Sequence, residues 1–175
     1  MRPRILLTLV GGLLLACLAM PSVQAGAGTA DLPAPDGPVM LTVGGDITRT
    51  NVGDEARFDR AMLEALPART IVTSTPWHPE STRFEGPLAE AILRAVGAEG
   101  RRVRVTALNG FEAMIPVSDF ERYDVILAMQ RNGTPMPIRD FGPLFVLYPF
   151  DAHPELVTEA IRFRSVWQVS RIEVY

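Results

Sequence analysis

Lysine does not occur in this sequence, cysteine occurs once, and histidine and tryptophan twice each. The lone cysteine, Cys17, lies within an apolar run from Ile5 to Met20 that follows Arg2 and Arg4. A charged start, an apolar middle and Val23-Gln24-Ala25 as a cleavage site read as a secretory signal peptide over residues 1–25. The run, about 16 residues, is shorter than the roughly 20 a spanning helix needs. Cleavage after Ala25 leaves a chain without disulfides, thiolate metal ligands or a thiol nucleophile. The alternative is a lipoprotein signal at Leu14-Leu15-Ala16-Cys17, in which Leu15 is bulky where a small residue usually stands.

All basic residues are arginine. Removing Arg2 and Arg4 from the 17 leaves 15 against 20 acids, a net charge of −5. No basic stripe interleaved with aromatics argues for nucleic acid. In Arg101-Arg102-Val103-Arg104 a strand would turn the charges outward to water. His78 and His153 lack a second histidine or cysteine at ligand spacing, so no metal site is expected. Ser74 has no G-x-S-x-G elbow around it, Gly44-Gly45 lacks a phosphate-loop pattern, and no catalytic residue is assigned.

The remaining length suits one domain with a real core. Residues 26–38, rich in Gly, Ala and Pro, read as a flexible tether, and the domain spans 39–175. A strand over Val39–Val43 ends at Gly44-Gly45-Asp46. Asp54 can cap a helix carrying Phe58, Met62, Leu63 and Leu66. A strand over Thr70–Ser74 leads into Thr73-Ser74-Thr75-Pro76-Trp77-His78, a junction expected to precede a helix. That helix starts near Pro87, with Leu88, Ile92, Ala95 and Val96 on one face and Gly97 as its stop. Asn109-Gly110 and Asn132-Gly133 mark hairpins, with positive φ expected at each glycine and each asparagine. Asp124–Met129 and Leu144–Tyr148 are apolar strands, Pro154 opens a helix through Arg162, and Val166–Tyr175 is a closing strand. The order predicts an α+β fold with mixed, mainly antiparallel sheets and a few helices.

Several segments together resemble a known family. Tyr123-Asp124-Val125-Ile126-Leu127-Ala128, Asn132-Gly133, Met136-Pro137, Gly142-Pro143-Leu144 and Tyr148-Pro149 resemble the C-terminal half of the oxidoreductase molybdopterin-binding domain, the central domain of sulfite oxidase. Phe84-Glu85-Gly86-Pro87-Leu88 resembles its glycine-containing helix block, and Val166-Trp167-Gln168 its closing strand. The resemblance implies an α+β fold around a pterin cleft. It also puts the loop of Thr73-Ser74-Thr75 where the enzymes carry a metal-binding cysteine. Hydroxyls stand there instead, and an alkoxide is a poor substitute for a soft thiolate. Phe145 stands where the family often has a basic residue, which leaves Arg139 to serve a phosphate. The leader lacks adjacent arginines and suits unfolded export, whereas a cofactor-loaded domain travels folded.

The expectation is a periplasmic or secreted, non-catalytic domain with no cofactor, the alternative being a molybdopterin-dependent oxidoreductase with an unconventional metal site. Ser74, Thr75, Trp77 and Arg139 are the expected ligand-binding residues, around a cleft for a small anionic or planar ligand. A periplasmic or membrane partner protein is the other candidate occupant. For Arg139 the competing use is an ion pair with Asp140 or Asp124. For Trp77 it is filling the former cofactor space as core.

Overall fold

The computed structural model describes residues 32–175. The expected leader, Cys17 and the start of the tether lie outside the described residues. In chain order the elements are β1 (Leu41–Gly45), β2 (Ala56–Phe58), α1 (Arg60–Glu64), β3 (Ala68–Thr75), β4 (His78–Pro87), α2 (Ala89–Ala95), β5 (Arg102–Ala107) and β6 (Glu112–Pro116). Then come α3 (Val117–Tyr123), β7 (Ile126–Ala128), β8 (Gln130–Arg131), β9 (Thr134–Pro135), β10 (Phe145–Leu147), α4 (Glu159–Arg164) and β11 (Val169–Val174). They form a five-stranded sheet in the order β2-β1-β11-β5-β6, a four-stranded sheet β3-β4-β8-β9 and a two-stranded ribbon β10-β7. All pairings are antiparallel except β1 with β11. The fold is α+β, as the sequence pattern predicts. Among the described residues no helix is long and apolar enough to cross a membrane.

The ribbon explains the two uninterrupted apolar runs. Every residue of β7 and β10 is buried. Val125, Leu127, Met129, Leu144, Val146 and Tyr148 face the main core, together with Val43, Phe58, Ile92, Val105 and Phe120. Their alternates Ile126, Ala128, Phe145 and Leu147 face a second, smaller core with Ile71, Phe84 and Met136. A strand pair that separates two cores needs apolar side chains on both faces, so period-two alternation disappears. On β5, by contrast, Val103, Val105 and Ala107 are buried while Arg102 and Arg104 point to water.

Gly86 lets β4 close on this ribbon. A Cβ there would lie 2.0 Å from the Leu127 carbonyl oxygen. Gly44 serves side chains instead. A Cβ there would meet the Arg171 guanidinium at 2.9 Å, and Arg171 crosses this position to reach Glu55 at 2.6 Å. The Arg171 and Arg57 hydrogen bonds hold the Glu55 carboxyl below its ordinary range.

Several local expectations are corrected. The first helix is capped by Asp59, whose side chain accepts from Met62 N at 2.9 Å, while Phe58 belongs to β2. The other Asp59 oxygen accepts from Asp36 N and Gly37 N at 2.9 and 2.8 Å. With Leu32 packed on the main core, the described part of the expected tether is tied down. Residues 117–123 form a helix that the sequence pattern did not mark. Gly110 and Gly133 both have positive φ, and Asn132 does too, at 52°, but Asn109 does not. Asn132-Gly133 is thus a two-residue turn of the I′ kind. Gly110 instead follows a turn closed by its own N–H on the Ala107 carbonyl at 3.0 Å.

The junction of residues 73–78 is not followed by a helix. It is the tip of the longest hairpin, β3 with β4, in which Thr75 pairs with His78 across Pro76-Trp77. Pro76 fixes its φ near −65°, and Trp77 keeps a negative φ. A two-residue hairpin normally uses a positive-φ turn. Here the Thr75 hydroxyl oxygen caps the turn instead, accepting from Trp77 N and His78 N at 3.4 and 3.0 Å. The ladder is irregular between Thr73 and Thr75.

Candidate functional site: an aromatic cavity and a carboxylate latch

Trp77 leaves the hairpin tip and packs into the smaller core. Its ring lies 5.1 Å from Trp167 and 6.1 Å from both Phe141 and Phe145. Phe141 and Phe145 stack at 5.5 Å. Such pairs add specific geometry to apolar burial. Trp77 remains only half-buried, because beside it opens a cavity of about 440 Å³. It is lined by Trp77, Trp167 and Val166, by Ala107, Asn109 and Phe111 from the β5–β6 hairpin, and by Glu159, Arg162, Phe163 and Ser165 from α4 and its exit. Phe111 and Phe163 are 42% and 56% exposed and carry the apolar surface out to the mouth.

The polar lining is sparse. The Ser165 hydroxyl donates to the Ile161 carbonyl at 2.9 Å and is spent within the helix. The Asn109 side-chain oxygen accepts from Phe111 N at 3.0 Å, which leaves its NH2 group to donate elsewhere. Among the described residues, Glu159 and Arg162 supply the two formal charges of the lining. The arrangement suits a ring held between aromatic walls and oriented by a few polar groups.

On the other side of the hairpin tip, Ser74 is committed to Asp151. Its N–H donates to one oxygen of the Asp151 carboxylate at 2.8 Å and its hydroxyl to the other at 2.5 Å. Ser81 Oγ adds a bond at 3.3 Å. Asp151 N donates in return to Thr73 Oγ1 at 3.0 Å. The hairpin tip is thereby latched to the segment that follows β10. The hydrogen bonds from Ser74, side chain first and then backbone, hold the Asp151 carboxyl below the usual aspartate range.

Of the four expected ligand-binding residues, only Trp77 lines the cavity. Ser74 faces Asp151, and Thr75 caps its own turn. Arg139 is exposed in a 3-10 turn over Ile138–Asp140. It forms neither expected ion pair: Asp140 pairs with Arg131, and Asp124 with Arg69. The pattern of residues marked Asn109 only as a turn residue and did not single out Phe111, Glu159, Arg162, Phe163 or Asp151. Phe111 beside a hairpin turn signal and Asp151 just after Tyr148-Pro149 were the available hints. A further polar cluster is structural. The Tyr148 hydroxyl donates to Asp119 at 2.9 Å, and Arg164 donates to the same oxygen at 2.9 Å. Burial, with the Asp119 charge adding, raises the Tyr148 phenol well above its ordinary value.

The cofactor implied by the resemblance can be tested against these side chains. Residues 32–175 contain no cysteine. In the loop where the resemblance puts the thiolate, the Ser74 hydroxyl already donates to the Asp151 carboxylate, which resists formation of a second anion beside it. Among the described residues no group of three or more His, Cys, Asp or Glu could hold a metal ion. Phe145 lies buried in the aromatic cluster. The cavity offers one cation, Arg162, offset by Glu159, which is poor complementarity for a phosphorylated ligand. The residues present do not fit a molybdenum centre ligated in the family's manner.

No curated protein matches the chain. The family model of the oxidoreductase molybdopterin-binding domain matches residues 51–152, a stretch that contains both the hairpin tip and Asp151 and leaves β1, α4 and β11 outside. That match spans more than half of the chain, and the protein belongs to the oxidoreductase molybdopterin-binding domain family.

Proposed function

We propose that this domain has kept the family's fold and exchanged its redox centre for a small-molecule binding site, and that it works outside the cytoplasm as a non-catalytic ligand-binding module. The observation that carries the proposal is the Ser74–Asp151 latch. In the loop where the resemblance puts the metal ligand, Ser74 gives its hydroxyl and its backbone N–H to an internal carboxylate. The aromatic cavity beside Trp77 supplies the binding site, and its ligand is small, with a planar or apolar body and an anionic group for Arg162. A leader suited to unfolded export supports the same reading, since a domain exported unfolded cannot carry a cofactor with it.

Two measurements test this. Metal and pterin analysis of the protein purified from its native source should find neither in stoichiometric amount; stoichiometric molybdenum with pterin overturns the proposal. Tryptophan emission should respond to ligand, because the only two tryptophans, Trp77 and Trp167, both line the cavity. A partner protein is the second reading, favoured by the exposed Leu108, Phe111 and Phe163. Recovery of one stoichiometric partner that Phe163→Ser abolishes, with no small-molecule response, would select it.

A further inference from the structure

We infer that the cavity is built for a zwitterionic α-amino acid with an aromatic or large apolar side chain; this rests on the ligand-binding reading above and names its ligand class. The lining carries one negative and one positive charge, Glu159 and Arg162. Neither takes part in a salt bridge among the described residues. Arg164, on the same short helix, shows the contrast: the fold uses it to bind Asp119 at 2.9 Å. Glu159 and Arg162 are three residues apart on α4, a spacing that makes them surface neighbours roughly 5–6 Å apart at Cβ. An α-amino acid carries its ammonium and carboxylate on a single carbon. It can therefore give the carboxylate to Arg162 and the ammonium to Glu159 at once.

The remaining lining fits the rest of such a molecule. The free NH2 of Asn109 is a second donor for the carboxylate. Trp77 and Trp167 meet edge to face at 5.1 Å and offer an apolar wall, and Phe111 and Phe163 flank the entrance. A simple anion would occupy Arg162 and leave Glu159 without a counter-charge, and a simple cation would occupy Glu159 and leave Arg162 without one. The zwitterion satisfies both, and its side chain keeps the aromatic walls from water.

The test uses four probes with one body: L-phenylalanine, 3-phenylpropanoate, 2-phenylethylamine and neutral 2-phenylethanol. Tryptophan emission and calorimetry read binding to the full mature chain. L-Phenylalanine should bind at least ten-fold more tightly than any of the other three. Glu159→Gln should lower its affinity to that of 3-phenylpropanoate, and Arg162→Gln to that of 2-phenylethylamine. Both positions are exposed, so unchanged unfolding midpoints will show that the variants fold. Equal binding of all four probes, or a charge variant that leaves L-phenylalanine unaffected, overturns the inference while leaving a ligand-binding cavity in place. If none of the four binds, and anilinonaphthalene sulfonate also leaves the tryptophan emission unmoved, the ligand-binding reading falls with it.

Discussion

Removing the Asp151 carboxylate should loosen the tip of the β3–β4 hairpin, and two variants separate the contributions. In Asp151→Ala the Ser74 N–H and hydroxyl, at 2.8 and 2.5 Å from the carboxylate, lose their acceptor. In Asp151→Asn the amide can still accept from Ser74 N and donate to the rotatable Ser74 hydroxyl, so mainly the charge is lost. Hydrogen bonds to a charged group are worth about 1.5–3 kcal/mol each in protected settings. Asp151 is exposed and water can take its place, so the pair should contribute about 1–2 kcal/mol in total. The alanine variant should lose that amount and the asparagine variant about half of it. At about 2–4 °C per kcal/mol for a domain of this size, the alanine midpoint falls by roughly 2–8 °C. The pH dependence follows from the depressed carboxyl. A folded-state pKa below the unfolded value of about 3.9 means the contribution is complete above that value and disappears as pH falls through the folded one. The gap between wild type and Asp151→Asn should therefore be constant near neutrality, shrink below about pH 4 and close in stronger acid. Urea titrations at several pH values measure it. An alanine variant as stable as wild type at neutral pH, or a charge gap that persists unchanged in strong acid, would refute the latch.

Gly86→Ala should be severely destabilising, by about 3 kcal/mol or more, because its Cβ would sit 2.0 Å from backbone oxygen with no side chain free to yield; soluble yield and circular dichroism report it. Tyr148→Phe should cost about 1–2 kcal/mol in urea unfolding, since it strips one donor from Asp119 in a buried setting while Arg164 remains. Asn132→Ala, at a φ of 52°, should cost about 1 kcal/mol through left-handed strain, and the same change at Asn109, with negative φ, should show none of that strain.

The sheet framework was legible wherever the local pattern and the tertiary environment agreed. Val103, Val105 and Ala107 alternate because β5 has one wet face, and Gly97 ends α2 with a φ of 61°. The apolar runs at 125–129 and 144–148 marked strands correctly, but no pattern says that such a run divides two cores. The first helix moved because Asp59, and not Asp54, has both Met62 N and the incoming 36–37 backbone within reach. The hairpin at Pro76-Trp77 was hidden because a threonine hydroxyl supplies what an Asn-Gly pair usually supplies. The cavity was hidden for another reason. Residues 107–111 and 159–167 meet only after β5 and β11 pair, and in sequence Glu159 and Arg162 read as an ordinary solvated helix face. Only Trp77 carried a signal of its own, a large ring at a strand end.

The latch also bears on how the hairpin tip is held. Two different contacts fasten the tip. Asp151 binds Ser74 on one side, and Trp77 packs against Phe141, Phe145 and Trp167 on the other. The two fastenings differ chemically. The first depends on charge and should weaken in acid, whereas the second depends on apolar burial and should not. If both fasten the same tip, Asp151→Ala combined with Trp77→Ala should destabilise the chain by an amount different from the sum of the single changes, because the second loss falls on a tip already released. A double-mutant cycle measures this coupling. Strict additivity would mean that each contact merely stabilises its own neighbourhood and that the tip is held by the β3–β4 ladder alone.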